Sequence, residues 1–471
     1  MNRGTGYFIL PAFGKSYRTR YTIRRMLETL APPLATVAAA EDAPPAVRWN
    51  AATRLAFRFA CLYFTAYVLT TQMIAGLWIV PKLTPPNMGA SGWMLRPIEW
   101  TAAHVFHAAP QYSKTLTGSG DKTIDWIHVF LLLVFSALAA AVWSVLDRRR
   151  PHYAALHKWF HVFLRFAAGT TMVSYGMVKA IPLQMPAPPL TRLLEPYGNF
   201  SPMGALWYSI GASFPYERFA GSMELLAAVL LFVPRLSMLG AMVLVADSIQ
   251  IFTLNMTYDV PVKLFSFHLI AMGLVLLAPE MRRLTSVLVL DRAAGPSAMP
   301  PLARRTGVRR ALVALQLVFG AYTIGSGYVE AREAWNTRGA GAPKPPLYGI
   351  WTVEKMSVDG VERAALVTDW GRWRRVVVQN AAGVIFWRMD DTFVSYPSTV
   401  DAAAKSIALT KAGDQAWKAR FAFEQPSPDV LVLDGEMDGH RIRMETRLFD
   451  RSRFLLVSRG FHWVQETPFN R

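Results

Sequence analysis

Long apolar runs and short alternating ones divide this chain. Seven runs approach the roughly 20 apolar residues a helix needs to cross a bilayer: Leu55–Val80, Ile124–Leu146, Trp159–Ile181, Tyr216–Val233, Leu236–Met256, Val260–Ala278 and Ala311–Tyr328. Most lack the polar face of a soluble helix, and their Gly and Ser residues suit close packing between membrane helices. The pattern predicts a polytopic α-helical membrane bundle of seven spans rather than a soluble helical core. Beyond Tyr328 a Gly/Pro linker, Gly339–Pro346, leads into short alternating runs: Gly349–Met356, Trp373–Gln379, Val384–Met389, Ser406–Lys411, Lys418–Phe423, Val430–Met437, Arg441–Phe449 and Phe454–Ser458. Turn signals such as Asp359-Gly360 and Asp438-Gly439 separate them. Eight or so strands joined this way predict an all-β, up-and-down antiparallel barrel, which closes on itself and leaves no sheet edge.

Composition and charge narrow the classes. The chain has 471 residues, a net charge of +18, 52 % hydrophobic residues and one cysteine, Cys61. Disorder, a disulfide scaffold and two-thiol redox chemistry within the chain are excluded. The segment Leu347–Arg471 holds 17 Lys/Arg against 16 Asp/Glu, and the remainder holds 33 against 16. A nucleic-acid binder gathers such charge on one folded face. Here it sits between apolar runs, so the expected partner is the lipid bilayer and no nucleic acid.

Cytoplasmic loops retain Lys and Arg. With the N-terminus inside, Arg48 and Arg54, Arg148 to Arg150 with Lys158, Arg235, and Arg282 to Arg310 all fall inside; Lys82, Lys114 and Arg192 are among the few outside. An odd number of spans places the β-module outside. The expected location is a bacterial inner (plasma) membrane, with a cytoplasmic N-terminus and an external C-terminal domain. Residues 1–54 read as a disordered basic cytoplasmic tail, with Met26 as an alternative start. Two spans and a long external loop occupy 55–158. Gly92–Ala109 in that loop is rich in Trp, Met and His and predicts an interfacial or re-entrant helix. The loop ends at Gly118-Ser119-Gly120-Asp121, where Asp121 suits a helix cap just before the second span.

Charges at membrane depth mark function or a tight internal pair. Arg165, Glu224 and Asp247 lie inside spans and Lys179 closes one, while Tyr258, Asp259 and Lys263 cluster at an outer turn. Arg165, Gly169, Met172, Gly176 and Lys179 recur at steps of 4, 3, 4 and 3, one helix face that points into the bundle. Asp247 and Asn255 share a face of the fifth span. Glu224 is the expected partner of Arg165 or Lys179. Two readings stand: a polar pocket in the outer half of the bundle for a quinone headgroup, an anion or a lipid headgroup, or a buried ion network that fixes helix register. The histidines show no metal-ligand spacing, and no nucleophile–base motif or nucleotide loop is present.

Tyr175-Gly-Met-Val-Lys179, Glu224-Leu-Leu-Ala-Ala-Val-Leu-Leu, then Arg235 and Leu239-Gly-Ala resemble the DoxX-like membrane proteins, and Asn255-Met-Thr-Tyr-Asp-Val-Pro-Val-Lys263 resembles a signature of a longer branch. The resemblance covers about 159–284 and implies a four-helix inner-membrane bundle with polar positions at Arg165, Lys179 and Glu224. In some members it implies a subunit of a quinone-linked oxidoreductase working with a redox partner protein; many have no known activity. The loop, seventh span and linker at 285–345 and the β-module depart from the minimal family pattern. Within 346–471, Tyr348-Gly349-Ile350-Trp351 resembles the Gly-x-Trp opening of lipocalins. That resemblance implies that Trp351 plugs one barrel end beneath a late arginine, for which Arg459 is the candidate. Such a barrel holds one apolar ligand or is filled by its own side chains. The expected function is therefore a membrane subunit of a quinone-linked redox system, or else a non-enzymatic lipid or small-solute binding or transport protein.

Overall fold

The computed structural model describes residues 48–78, 94–109, 118–297, 299–369 and 371–470. The reading of 1–54 as a tail falls almost wholly outside them, as do Met26 and the start of the predicted interfacial helix. Within the described part of that range a helix forms, α3, Leu95–His104.

The first part of the fold is helical: α1 Ala51–Thr70, α2 Met73–Leu77, α4 Thr123–Leu146, α5 Ala154–Ala180, α6 Leu190–Leu194, α7 Pro202–Gly211, α8 Phe214–Phe232, α9 Ser237–Thr257, α10 Lys263–Leu277, α11 Met281–Leu288 and α12 Thr306–Thr337. Among the described residues, four helical stretches are long and apolar enough to cross a membrane: Thr123–Leu146, Ser237–Thr257, Lys263–Leu288 and Thr306–Thr337. Four of the seven expected spans meet that measure. α1, α5 and α8 form where expected, but ionisable residues such as Arg58, Arg165, Lys179 and Glu224 dilute their apolar character. Those residues are buried. Large apolar side chains instead face outward on α4, among them Phe135, Leu138, Val142 and Val145.

Glycines set the tightest crossing. A Cβ at Gly221 of α8 would stand 2.3 Å from the Ala180 nitrogen and 2.6 Å from the Gly176 carbonyl oxygen of α5. Only glycine lets these two backbones touch, the small-residue contact that membrane helices use. The predicted α5 face is buried at Arg165, Gly169, Met172, Gly176 and Lys179.

The second part is a closed antiparallel barrel of eight strands: β1 Gly349–Val358, β3 Trp373–Asn380, β4 Gly383–Arg388, β5 Phe393–Asp401, β6 Ser406–Lys411, β7 Asp414–Ser427, β8 Val430–Met437 and β9 His440–Leu448. β1 pairs with β9 to close it, and the two-residue β2, Val361–Glu362, folds back on β1. Asp359-Gly360 and Asp438-Gly439 take positive φ at both residues, as tight hairpin turns require. The interior is filled by side chains including Trp351, Met356, Phe386, Phe421, Leu433 and Met444.

Two strand assignments change. Phe393–Asp401 is a strand that the alternation did not announce, and Phe454–Ser458 is not one: it ends a short helical turn and forms α13, Leu455–Ser458. Arg459 therefore follows a helix outside the sheet, with its guanidinium 4.6 Å from the Phe469 ring centroid. The barrel's buried arginine is Arg372, which donates to the Arg363 and Glu354 carbonyls at 3.0 and 3.3 Å. Trp351 is buried as expected, and its Nε1–H donates to the Leu347 carbonyl at 2.9 Å. Gly349 lets β1 close on β9, since a Cβ there would lie 2.5 Å from Leu448 Cδ1.

Candidate functional site

The close crossing of α5 and α8 sets Lys179 opposite Glu224. Both are buried, and Lys179 Nζ donates to Glu224 Oε1. Of the two predicted partners, Lys179 takes Glu224, and Arg165 donates to Gln316 Oε1 on α12 instead. A lone buried ion pair needs further hydrogen bonds to offset its desolvation. This one is left incomplete, because Glu224 Oε2 has no partner among the described residues.

Beside the pair lies a cavity of about 100 Å³. Lys179, Glu224, Asp247 and Asn255 line it, so half of the predicted membrane-site residues converge there. The rest do not. Arg165 belongs to the α12 contact. Tyr258 is partly exposed, and Asp259 and Lys263 pair with one another at 2.9 Å beyond the cavity. Asp121 joins that second group. It caps α10 and not the span that follows it, accepting from the backbone nitrogens of Lys263 and Leu264 at 2.8 and 2.9 Å. This turn ties the loop before α4 to the start of α10 and is explained by capping alone.

Glu217, in the first turn of α8, is a lining residue that the sequence analysis does not single out. Glu217 is fully buried, and its Oε1 accepts from the Met185 backbone nitrogen at 2.9 Å while Oε2 has no partner. The signal was available: Glu217 and Glu224 are seven apart, two turns of one helix face. The segment after α5 supplies the roof. The Gln184 carbonyl accepts from Trp207 Nε1 at 3.1 Å, and the chain then runs to α6, where Leu190 packs on Ile350, Val377 and Ile385 of the barrel's outer face. Thr191 donates twice to Gln379 Oε1 of β3, at 3.2 and 3.3 Å. The barrel is thus anchored to the strand of chain that covers the cavity.

Four lining acceptors are buried with no hydrogen-bond partner among the described residues: Gln184 Oε1, Glu217 Oε2, Glu224 Oε2 and Asp247 Oδ2. Buried polar atoms are rarely left so. Of the donors that line the cavity, Lys179 bonds Glu224 and Asn255 Nδ2 bonds Ser266 Oγ at 3.1 Å. A neighbouring crevice of about 520 Å³ between α2, α5 and α12 shares Tyr175 and Phe265 with the cavity as its wall. Gln72 Nε2 donates to the Tyr175 hydroxyl at 2.9 Å from the crevice side. Among the described residues no cluster of His, Cys, Asp and Glu suited to a metal ion occurs.

No family model matches the chain. It is 37 % identical over 81 residues, 17 % of its own length, to the uncharacterized protein YwoB of Bacillus subtilis (strain 168). The chain spans about half, 53 %, of the length of that curated relative. No solved structure matches.

Proposed function

We propose that this chain is a DoxX-like inner-membrane protein that binds a small polar solute in the cavity beside Lys179 and Glu224, without catalysis of its own. The observation that carries this reading is the set of four unpartnered acceptors on one small cavity. They are costly unless a ligand donates to them. In this reading α1, α5 and α8 complete seven spans around the four more apolar ones, the N-terminus is cytoplasmic and the barrel lies outside as a lipocalin-like docking module. Its packed interior favours a module that docks partners over one that carries an apolar ligand.

The second reading keeps a quinone in the cavity, as part of a redox system with a partner protein. The aromatic walls, Tyr175, Trp207, Tyr216 and Phe265, favour it. The four unpartnered acceptors count against it, because a quinone carbonyl brings no donor to them. Purification of the full chain in mild detergent, followed by mass spectrometry of released small molecules, separates the two. The first reading expects a polar solute that is absent from Asp247→Asn. Recovery of a quinone, lost in the same variant, would replace it with the second.

A further inference from the structure

Resting on the solute-binding reading, the chemistry of the lining narrows the class of solute. Three acidic side chains, Glu217, Glu224 and Asp247, face the cavity beside one ammonium, Lys179. Glu217 and Glu224 are 0 % and 1 % exposed, and each spends one oxygen on a protein donor while the other stays unfilled. Lys179 is committed to Glu224. Asp247 faces the cavity with a buried, unfilled Oδ2. The formal balance of the lining is therefore acidic, and an anion entering it meets repulsion. A neutral donor satisfies the oxygens and leaves the charge.

The remaining wall adds a second, independent indication. Tyr175, Trp207, Tyr216 and Phe265 all line the same space. Aromatic faces attract cations, and aromatic rings grouped with carboxylates are the usual recognition of alkylated ammonium ions. Trp207 is held in place by its bond to the Gln184 carbonyl. A volume of about 100 Å³ amounts to roughly three water volumes of ~30 Å³, which limits the occupant to a compact molecule.

We propose that the cavity binds a small organic ammonium ion, its charge set against Glu217, Glu224 and Asp247 and its alkyl groups against the Trp207 and Tyr216 rings. The neighbouring crevice, which shares Tyr175 and Phe265 with the cavity, is its route in.

Calorimetric titration of the full chain in lipid nanodiscs tests this, with methylammonium, choline and the uncharged carbon isostere of choline, dimethylbutanol. Saturable binding of at least one cation is expected, with dimethylbutanol weaker by about tenfold or more. Asp247→Asn removes a charge whose Oδ2 bonds none of the described residues, so it leaves folding intact while lowering affinity about tenfold. Glu217→Gln serves as the second variant. Equal binding of choline and dimethylbutanol overturns the ammonium assignment, and so does binding of neither cation. Whether the cavity takes a solute at all is read separately, from the released small molecules, so the two failures are distinguishable.

Discussion

Lys179→Met is the perturbation whose consequence follows most directly from the geometry. Lys179 is 7 % exposed and Glu224 1 %. Among the described residues the ammonium is the sole partner of Glu224 Oε1, and Oε2 already lacks one. Removing Lys179 leaves both oxygens of a buried carboxylate uncompensated. Breaking a buried pair in this way costs about 3–5 kcal/mol. Methionine keeps most of the lysine volume, so the cost is electrostatic and not a cavity. The companion Lys179→Met/Glu224→Gln removes the stranded charge and should restore about half or more of the loss. The assay is reversible unfolding of the full chain in mixed detergent micelles, with hydrogen exchange at α5 and α8 to confirm that the bundle is the part that opens. A cost below about 1 kcal/mol for the single variant, or a double variant as unstable as the two singles added together, refutes the reasoning.

The remaining predictions concern the crossing, the barrel and its pH response. Gly221→Ala drives a Cβ against the Ala180 nitrogen and the Gly176 carbonyl. It should part α5 from α8 at about 1–3 kcal/mol and abolish retention of the released solute, both measurable on purified protein. Trp351→Ala, at a site 2 % exposed inside the barrel, should cost about 3–5 kcal/mol, collapsing exchange protection in β1 and β9 while α5 and α8 keep theirs. In the barrel, His440 holds Asp359 below the ordinary carboxylate range, and Arg441 and then Arg443 do the same for Asp434. Because these folded carboxyls titrate below the unfolded value near ~3.9, their contribution is complete above it and is lost as pH falls through the folded values. Barrel melting should be flat from neutral pH to about 5 and fall below about 4; unchanged melting at lower pH counts against those pairs.

How legible the molecule is from its residues depends on contrast. Lys179, Glu224 and Asp247 stand out because each is an ionisable group inside an apolar run, and three-dimensional packing brings all three to one cavity. Most strands are legible from their alternation of buried and exposed positions. β5 is not, because Phe393–Asp401 has no fully buried residue and carries Ser-Tyr-Pro-Ser-Thr, a composition that reads as a loop. The final run Phe454–Ser458 shows the converse: it is apolar enough for a strand, but β9 already closes on β1 and no edge remains for it. Long-range partners carry no local signal. Gln316 as the ligand of Arg165, Asp121 as the cap of α10, and Arg58, buried against Tyr153 and Ser144, could not be paired from spacing alone. The same holds for the Gln184 roof and its tie to the barrel, which arises from loop geometry across separate elements.

The most direct measurement is an experimental density map of the full chain in lipid nanodiscs, purified without added ligand and at a resolution that shows ordered small molecules. The account predicts density that is not protein within about 3 Å of Glu217 Oε2, Glu224 Oε2 and Asp247 Oδ2, enclosed by helices that cross the lipid. A cavity collapsed so that these oxygens bond one another or protein donors, or a bundle standing outside the lipid, would contradict it.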